Sequence, residues 1–160
     1  MQTALVRALI GAVLLLCGSA HAADFAVEDD SLVRVPAQVA QSIARAQQEP
    51  IIGFDKKPCR FVGKAFDLQD SGSAADWVVT TTDACSWAAS AAPVWVLRKT
   101  SGGYNMVLSF VTYDLTIGKA SQNGMRNLAT ARGTAARTEY QLWKFDGTEY
   151  RLARLRVTGG

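Results

Sequence analysis

Beyond Pro50 the chain is a succession of short β-branched and aromatic runs, each closed by turn residues. This pattern constrains the fold more than any other feature. Residues 60–68 form the first run and end in a polar turn, 69–73. Residues 76–82 form a second, and 93–99 a third after a small-residue loop at 86–92. Ser101-Gly102-Gly103 then turns the chain into 104–112, and Gly-Gly between two apolar runs is a hairpin signal. Residues 113–117 either continue that strand or begin another. A polar loop at 119–124 leads into 125–131. Residues 137–145 and 148–157 flank Asp146-Gly147, the strongest hairpin signal present. One segment departs from the pattern. Residues 36–48 read as a helix, with Pro36 at the first helical position, Val39, Ile43 and Ala46 on one face, and Pro50 as the stop. The fold class read from this is mainly β: an antiparallel sheet or small sandwich with one N-terminal helix.

The first 22 residues have the character of a secretory signal peptide. Arg7 supplies the positive start, residues 8–17 the apolar core, and Ala20-His21-Ala22 the small-residue site for cleavage before Ala23. The organisation expected is a signal peptide at 1–22, a leader and helix at 23–58, and an antiparallel β domain at 59–160. Cys17 raises a lipoprotein alternative, but Leu16 is bulky where that pattern wants a small residue, although Gly18-Ser19 fit it. The expectation is a soluble periplasmic product. The remaining 138 residues (160 less 22) are enough for one domain with its own core. No later stretch is long and apolar enough to span a membrane. The mature charge of +2, from 16 basic and 14 acidic residues once Arg7 is removed, is too mild to point to nucleic acid.

Cleavage removes His21, the only histidine, and leaves Cys59 and Cys85 as the only cysteines. In an oxidising compartment such a pair reads as a disulfide, and closing its loop would contribute about 3 kcal/mol in the chain-entropy model. Without histidine, Ser-His-Asp and Cys-His centres cannot be assembled. There is no Gly-x-Ser-x-Gly elbow and no phosphate-binding glycine motif. Paired carboxylates could still serve a hydrolase, but Asp114, Glu139, Asp146 and Glu149 sit in ordinary strand and turn contexts. No catalytic residue is assigned. Trp77, Trp95 and Trp143 fall in predicted strands and read as core, with an exposed sugar-stacking platform as the alternative.

The segment from Phe66 to Val79 carries Asp67, Gln69, Asp70, Gly72 and Asp76 around an acidic turn. It resembles the Asp-x-Asn-x-Asp-Gly-x-x-Asp calcium loop of FG-GAP/VCBS-like blade repeats. Ser71 stands where an acidic ligand belongs and Asp76 comes one residue late, so Asp67, Asp70 and Asp76 form a degenerate Ca²⁺ candidate and no cofactor is expected. The resemblance continues over residues 59–155, through Cys85, Pro93-Val94-Trp95-Val96-Leu97-Arg98, Gly103-Tyr104, Asn123-Gly124-Met125-Arg126-Asn127-Leu128 and Phe145-Asp146-Gly147-Thr148-Glu149-Tyr150. This order is similar to that of blade-like small periplasmic proteins, some of which inhibit lysozymes or act as immunity proteins against cell-wall hydrolases. It implies blade-like hairpins and a protein partner, a peptidoglycan-degrading enzyme. A plug for such a cleft wants cationic and hydroxyl donors on protruding turns. Ser101, Tyr104, Lys119, Ser121, Gln122, Asn123 and Arg126 are the candidate partner-binding residues. The alternatives are a non-catalytic envelope assembly protein and a carboxylate-based cell-wall hydrolase.

Overall fold

The computed structural model describes residues 24–47, 51–53, 56–82, 85, 87, 91–134 and 136–159. Residues 1–22, for which a signal peptide is expected, lie outside them, Cys17 included. In chain order the elements are β1 (Phe25–Ala26), β2 (Val33–Arg34), α1 (Ala37–Ala46), β3 (Phe61–Phe66), β4 (Asp76–Thr81), β5 (Ala92–Thr100), β6 (Gly103–Thr112), β7 (Asp114–Gln122), β8 (Met125–Thr134), β9 (Arg137–Phe145) and β10 (Tyr150–Thr158). They form two five-stranded antiparallel sheets, ordered β2-β3-β4-β5-β6 and β1-β7-β8-β9-β10. The short leader strands divide between the sheets: Phe25 pairs with Leu115, and Val33 with Gly63.

Side-chain alternation along β4 and β5 sets the layers. Val78, Val94 and Val96 point to one side of the first sheet and are buried with Phe25, Leu115, Leu128 and Phe145 of the second. Val79, Trp95 and Leu97 point to the other side, where Val39 and Ile43 of α1 cover them. The first sheet is therefore buried on both faces, between the helix and the second sheet. Each fully buried aliphatic or aromatic side chain contributes about 1.5–3 kcal/mol of transfer free energy, so both interfaces hold the architecture. Gly63 sits opposite Val79 in the β3–β4 ladder, and a Cβ there would lie 2.3 Å from the Val78 carbonyl oxygen. That close approach admits only glycine.

The tryptophans are packing residues. Trp95 is buried and meets Phe61 edge-on at 5.5 Å between centroids. Trp143 tilts against Phe110 at 5.8 Å, and Trp77 lies partly buried on the helix side. Cys59 and Cys85 form the disulfide, with Cα atoms 5.9 Å apart, joining the segment before β3 to the β4–β5 connection.

Several boundaries differ from the sequence reading, among them β8, which runs on to Thr134, and β5, which begins at Ala92. Pro36 precedes the helix in an extended conformation, as its cap and not its first residue, and α1 closes at Ala46. Lys119 to Gln122 are not loop but the end of β7. The turn is only Asn123-Gly124, both at positive φ (51° and 79°), as a two-residue hairpin requires. Thr148 and Glu149 belong to the β9–β10 turn, where the Asp146 carboxylate accepts from both of their amides at 2.8 and 2.9 Å.

Candidate functional site at the hairpin end

Antiparallel succession places four turns at one end of the two sheets: β3–β4, β5–β6, β7–β8 and β9–β10. Cross-contacts fix them together. The Arg126 amide donates to the Leu68 carbonyl at 2.7 Å, joining the β3–β4 turn to β8. The Arg98 guanidinium of β5 lies 5.5 Å from the Phe145 ring of β9. The Tyr150 hydroxyl of β10 donates to the Arg126 carbonyl at 2.7 Å.

Beneath this surface lies Asp76, 1% exposed. Its carboxylate accepts from the Leu68 amide (3.1 Å), the Lys99 amide (2.8 Å) and the Gln69 side-chain amide (2.8 Å). Gln69 in turn accepts from Arg98 Nε at 3.2 Å. Burial near the Asp76 charge pushes the Tyr150 phenol well above its ordinary range, so it stays protonated as a donor.

The acidic turn residues do not converge. Asp67 accepts from the Ser71 amide (2.9 Å), the Ser71 hydroxyl and the Gly72 amide (2.8 Å), bonds that hold its carboxyl below the usual range. Asp70 pairs with Arg126, and Asp76 turns inward. Among the described residues no group of three metal-ligating side chains comes together. Asp67 bonds within the turn, while Asp70 and Asp76 tie it to β8 and β5.

The seven candidate partner-binding residues come to this one end, but in two classes. Ser101 and Ser121 are exposed with no side-chain hydrogen bond to described residues, and Lys119 is exposed without an ion pair among them. The other four are committed. Tyr104 is half-buried against the helix-side core with the Lys99 ammonium 4.4 Å from its ring centre. Gln122 and Asn123 donate to the Phe145 carbonyl at 3.4 and 3.0 Å. Arg126 is tied to Asp70, with its Nε buried and unpartnered. These four act as braces for the turns.

The carboxylates considered for hydrolysis are dispersed. Glu139 pairs with Arg132 and Arg137, and Asp114 accepts from the Ala131 amide at 3.3 Å. Asp146 and Glu149 share Arg151. Amides of Glu149 and Thr148, with Arg151, hold the Asp146 carboxyl down to about 2.

Sequence reasoning passed over β10. Residues 151–157 are all exposed, and Leu152, Leu155 and Val157 are among the exposed large hydrophobics. Arginine alternates with aliphatic residues only over Arg154-Leu155-Arg156-Val157, and Leu152-Ala153 breaks the pattern before it, so the sequence offered a partial signal. Comparison of the chain with protein-family profiles, curated proteins and solved structures returned no match.

Proposed function

We propose that this chain is a non-catalytic binding protein of the periplasm that neutralises a peptidoglycan-degrading enzyme, presenting its hairpin end to the enzyme's cleft. The observation that supports this reading is the gathering of four hairpin connections at one end of a disulfide-braced two-sheet framework, with Ser101 exposed in the β5–β6 turn and Lys119 and Ser121 exposed at the end of β7. Such an end is pre-ordered, so little conformational entropy is lost when it binds. A glycan-cleaving cleft presents two carboxyl groups flanking the scissile bond. The Lys119 ammonium complements that charge, and the serine hydroxyls can replace hydrogen bonds made to sugar. Arg126 and Tyr104 serve here as supports that fix the turns. The disulfide accords with an oxidising compartment.

The test is titration of the mature protein against a panel of lysozymes and other peptidoglycan hydrolases. Inhibition at micromolar protein is expected from wild type. Lys119→Glu should weaken it about tenfold, more at low salt than at high. A wild type that leaves every enzyme active overturns the reading. Inhibition that Lys119→Glu and Ser121→Ala both leave unaltered moves the contact away from this end.

A further inference from the structure

The second sheet ends in an edge that the fold leaves bare. Among the described residues β10 pairs only with β9, and seven consecutive residues, 151–157, are exposed. An open edge presents a row of unpaired backbone donors and acceptors, a template for another strand. The two faces of β10 differ in chemistry, and a bulge makes them so. Tyr150 and Leu152 stand opposite Phe145 and Trp143 on the core-facing side. Ala153 is then inserted without a partner, Arg154 stands opposite Leu142, and Leu155 opposite Gln141. Without the inserted residue, Leu155 and Val157 would fall on the side opposite Leu152. With it, Leu152, Leu155 and Val157 form one apolar row, at 46, 50 and 43% exposure, and Arg154 and Arg156 share the outer face with the exposed Tyr140.

We propose that β10 is a docking edge for an extended segment of a partner protein that carries acidic side chains on one face and apolar side chains on the other. Charge selects this occupant. Arg154 and Arg156 form no ion pair with described residues, whereas Arg151 is held by Asp146 and Glu149. From Met125 to Thr158 the chain carries seven basic and three acidic residues, a net +4, while the mature chain as a whole is only +2. A second copy is disfavoured. Antiparallel pairing of two β10 strands about Arg154, Leu155 or Arg156 sets arginine opposite arginine, and like charges directly across a ladder destabilise it. An incoming strand with Glu or Asp opposite Arg154 and Arg156 pairs both. Its apolar residues then extend the row of Leu152, Leu155 and Val157. Backbone ladder bonds supply affinity and the side-chain alternation supplies selectivity. The edge runs away from the hairpin turns, so this inference stands apart from the hydrolase reading.

The experiment uses the mature protein with end-capped peptides of alternating valine and glutamate, alternating valine and lysine, and the valine–glutamate sequence with a central proline. Fluorescence anisotropy measures binding, and amide hydrogen exchange locates it. The valine–glutamate peptide should bind and slow exchange in residues 151–157. The double variant Arg154→Glu/Arg156→Glu, two exposed positions, should lose at least about tenfold affinity for it and gain affinity for the valine–lysine peptide. The proline peptide should bind far more weakly. Binding by neither peptide overturns the proposal, as does equal binding of both or protection confined to other strands. Concentration-dependent dimerisation with β10 protected in the absence of peptide would replace the partner with a second copy. Retention on phosphatidylglycerol vesicles without peptide binding would replace it with an anionic surface.

Discussion

Removing the Asp76 carboxylate should destabilise the fold more than any other single polar change at the hairpin end. Asp76→Ala leaves the Leu68 and Lys99 amides without their acceptor in a site where the aspartate is only 1% exposed. The Leu68 bond is buried and the Lys99 bond part-buried; at about 1–3 kcal/mol for each donor left unpaired, the two together cost about 2–6 kcal/mol. The Gln69 amide keeps its bond to the Lys99 carbonyl at 3.2 Å, so it adds little. The working figure is about 4 kcal/mol, a large share of the 5–15 kcal/mol typical of a domain. Asp76→Asn separates the bonds from the packing. Its one oxygen can serve one amide while its NH₂ group faces another donor, so it should cost about half as much. Urea unfolding, followed by tryptophan fluorescence, measures both. With a slope of about 2 kcal/mol per molar, the alanine variant should shift its midpoint down by about 2 M. An alanine variant within about 1 kcal/mol of wild type would refute the reasoning, since the two amides would then have found other partners. Equal losses for asparagine and alanine would show that charge, not acceptor number, matters.

Three further outcomes follow from the same geometry. Reducing the Cys59–Cys85 disulfide, which closes a separation of 26 residues, should cost about 3 kcal/mol in urea unfolding; unchanged stability on reduction would refute it. Acid should erode stability as pH falls from about 4 toward 2. The folded Asp146 carboxyl titrates near 2 against 3.8 when free, and Asp67 and Asp29 are shifted the same way, so their contribution is present above the free value and lost as pH falls through the folded one. Asp146→Asn should flatten that limb of the melting temperature against pH, and an unchanged slope would remove Asp146 from the account. Micromolar Ca²⁺ should leave the melting temperature unchanged, because Asp67 and Asp76 already accept several protein donors each and Asp70 pairs with Arg126; a rise abolished by Asp67→Ala would show that the turn reopens around the ion.

The strands and their turns were legible because they rest on local chemistry. Asn123-Gly124 supplies two residues at positive φ and Asp146-Gly147 one, at Gly147, and both pairs lie where the structure turns. The helix was legible from Val39 and Ile43, which it buries along with Ser42, whereas Ala46, read onto the same face, is exposed. The division into two sheets was not. Val78 and Val79 look alike in sequence, yet one faces the second sheet and the other faces α1. Only the presence of both layers explains why β4 and β5 are apolar on both sides. Lys119 to Gln122 read as loop because they are polar, but they extend β7 past the core, where a strand needs no apolar face.

The candidate site was legible as composition and not as roles. Arg126 and Lys119 look equivalent in sequence as cations near a turn. What separates them is Asp70, 56 residues from Arg126, which the β3–β4 turn brings against β8. A charge with a built-in partner holds its own structure together, and a charge without one is available to something else. The same rule distinguishes Arg151, held by Asp146 and Glu149, from Arg154 and Arg156 on the same strand. It also explains why β10 escaped notice. The strand itself was read, but its apolar residues are spaced three and then two apart, which puts Leu152 on the opposite face from Leu155 and Val157 until the bulge at Ala153 restores them to one face. A bulge depends on the register of two strands together, so that face exists only once β9 and β10 have paired.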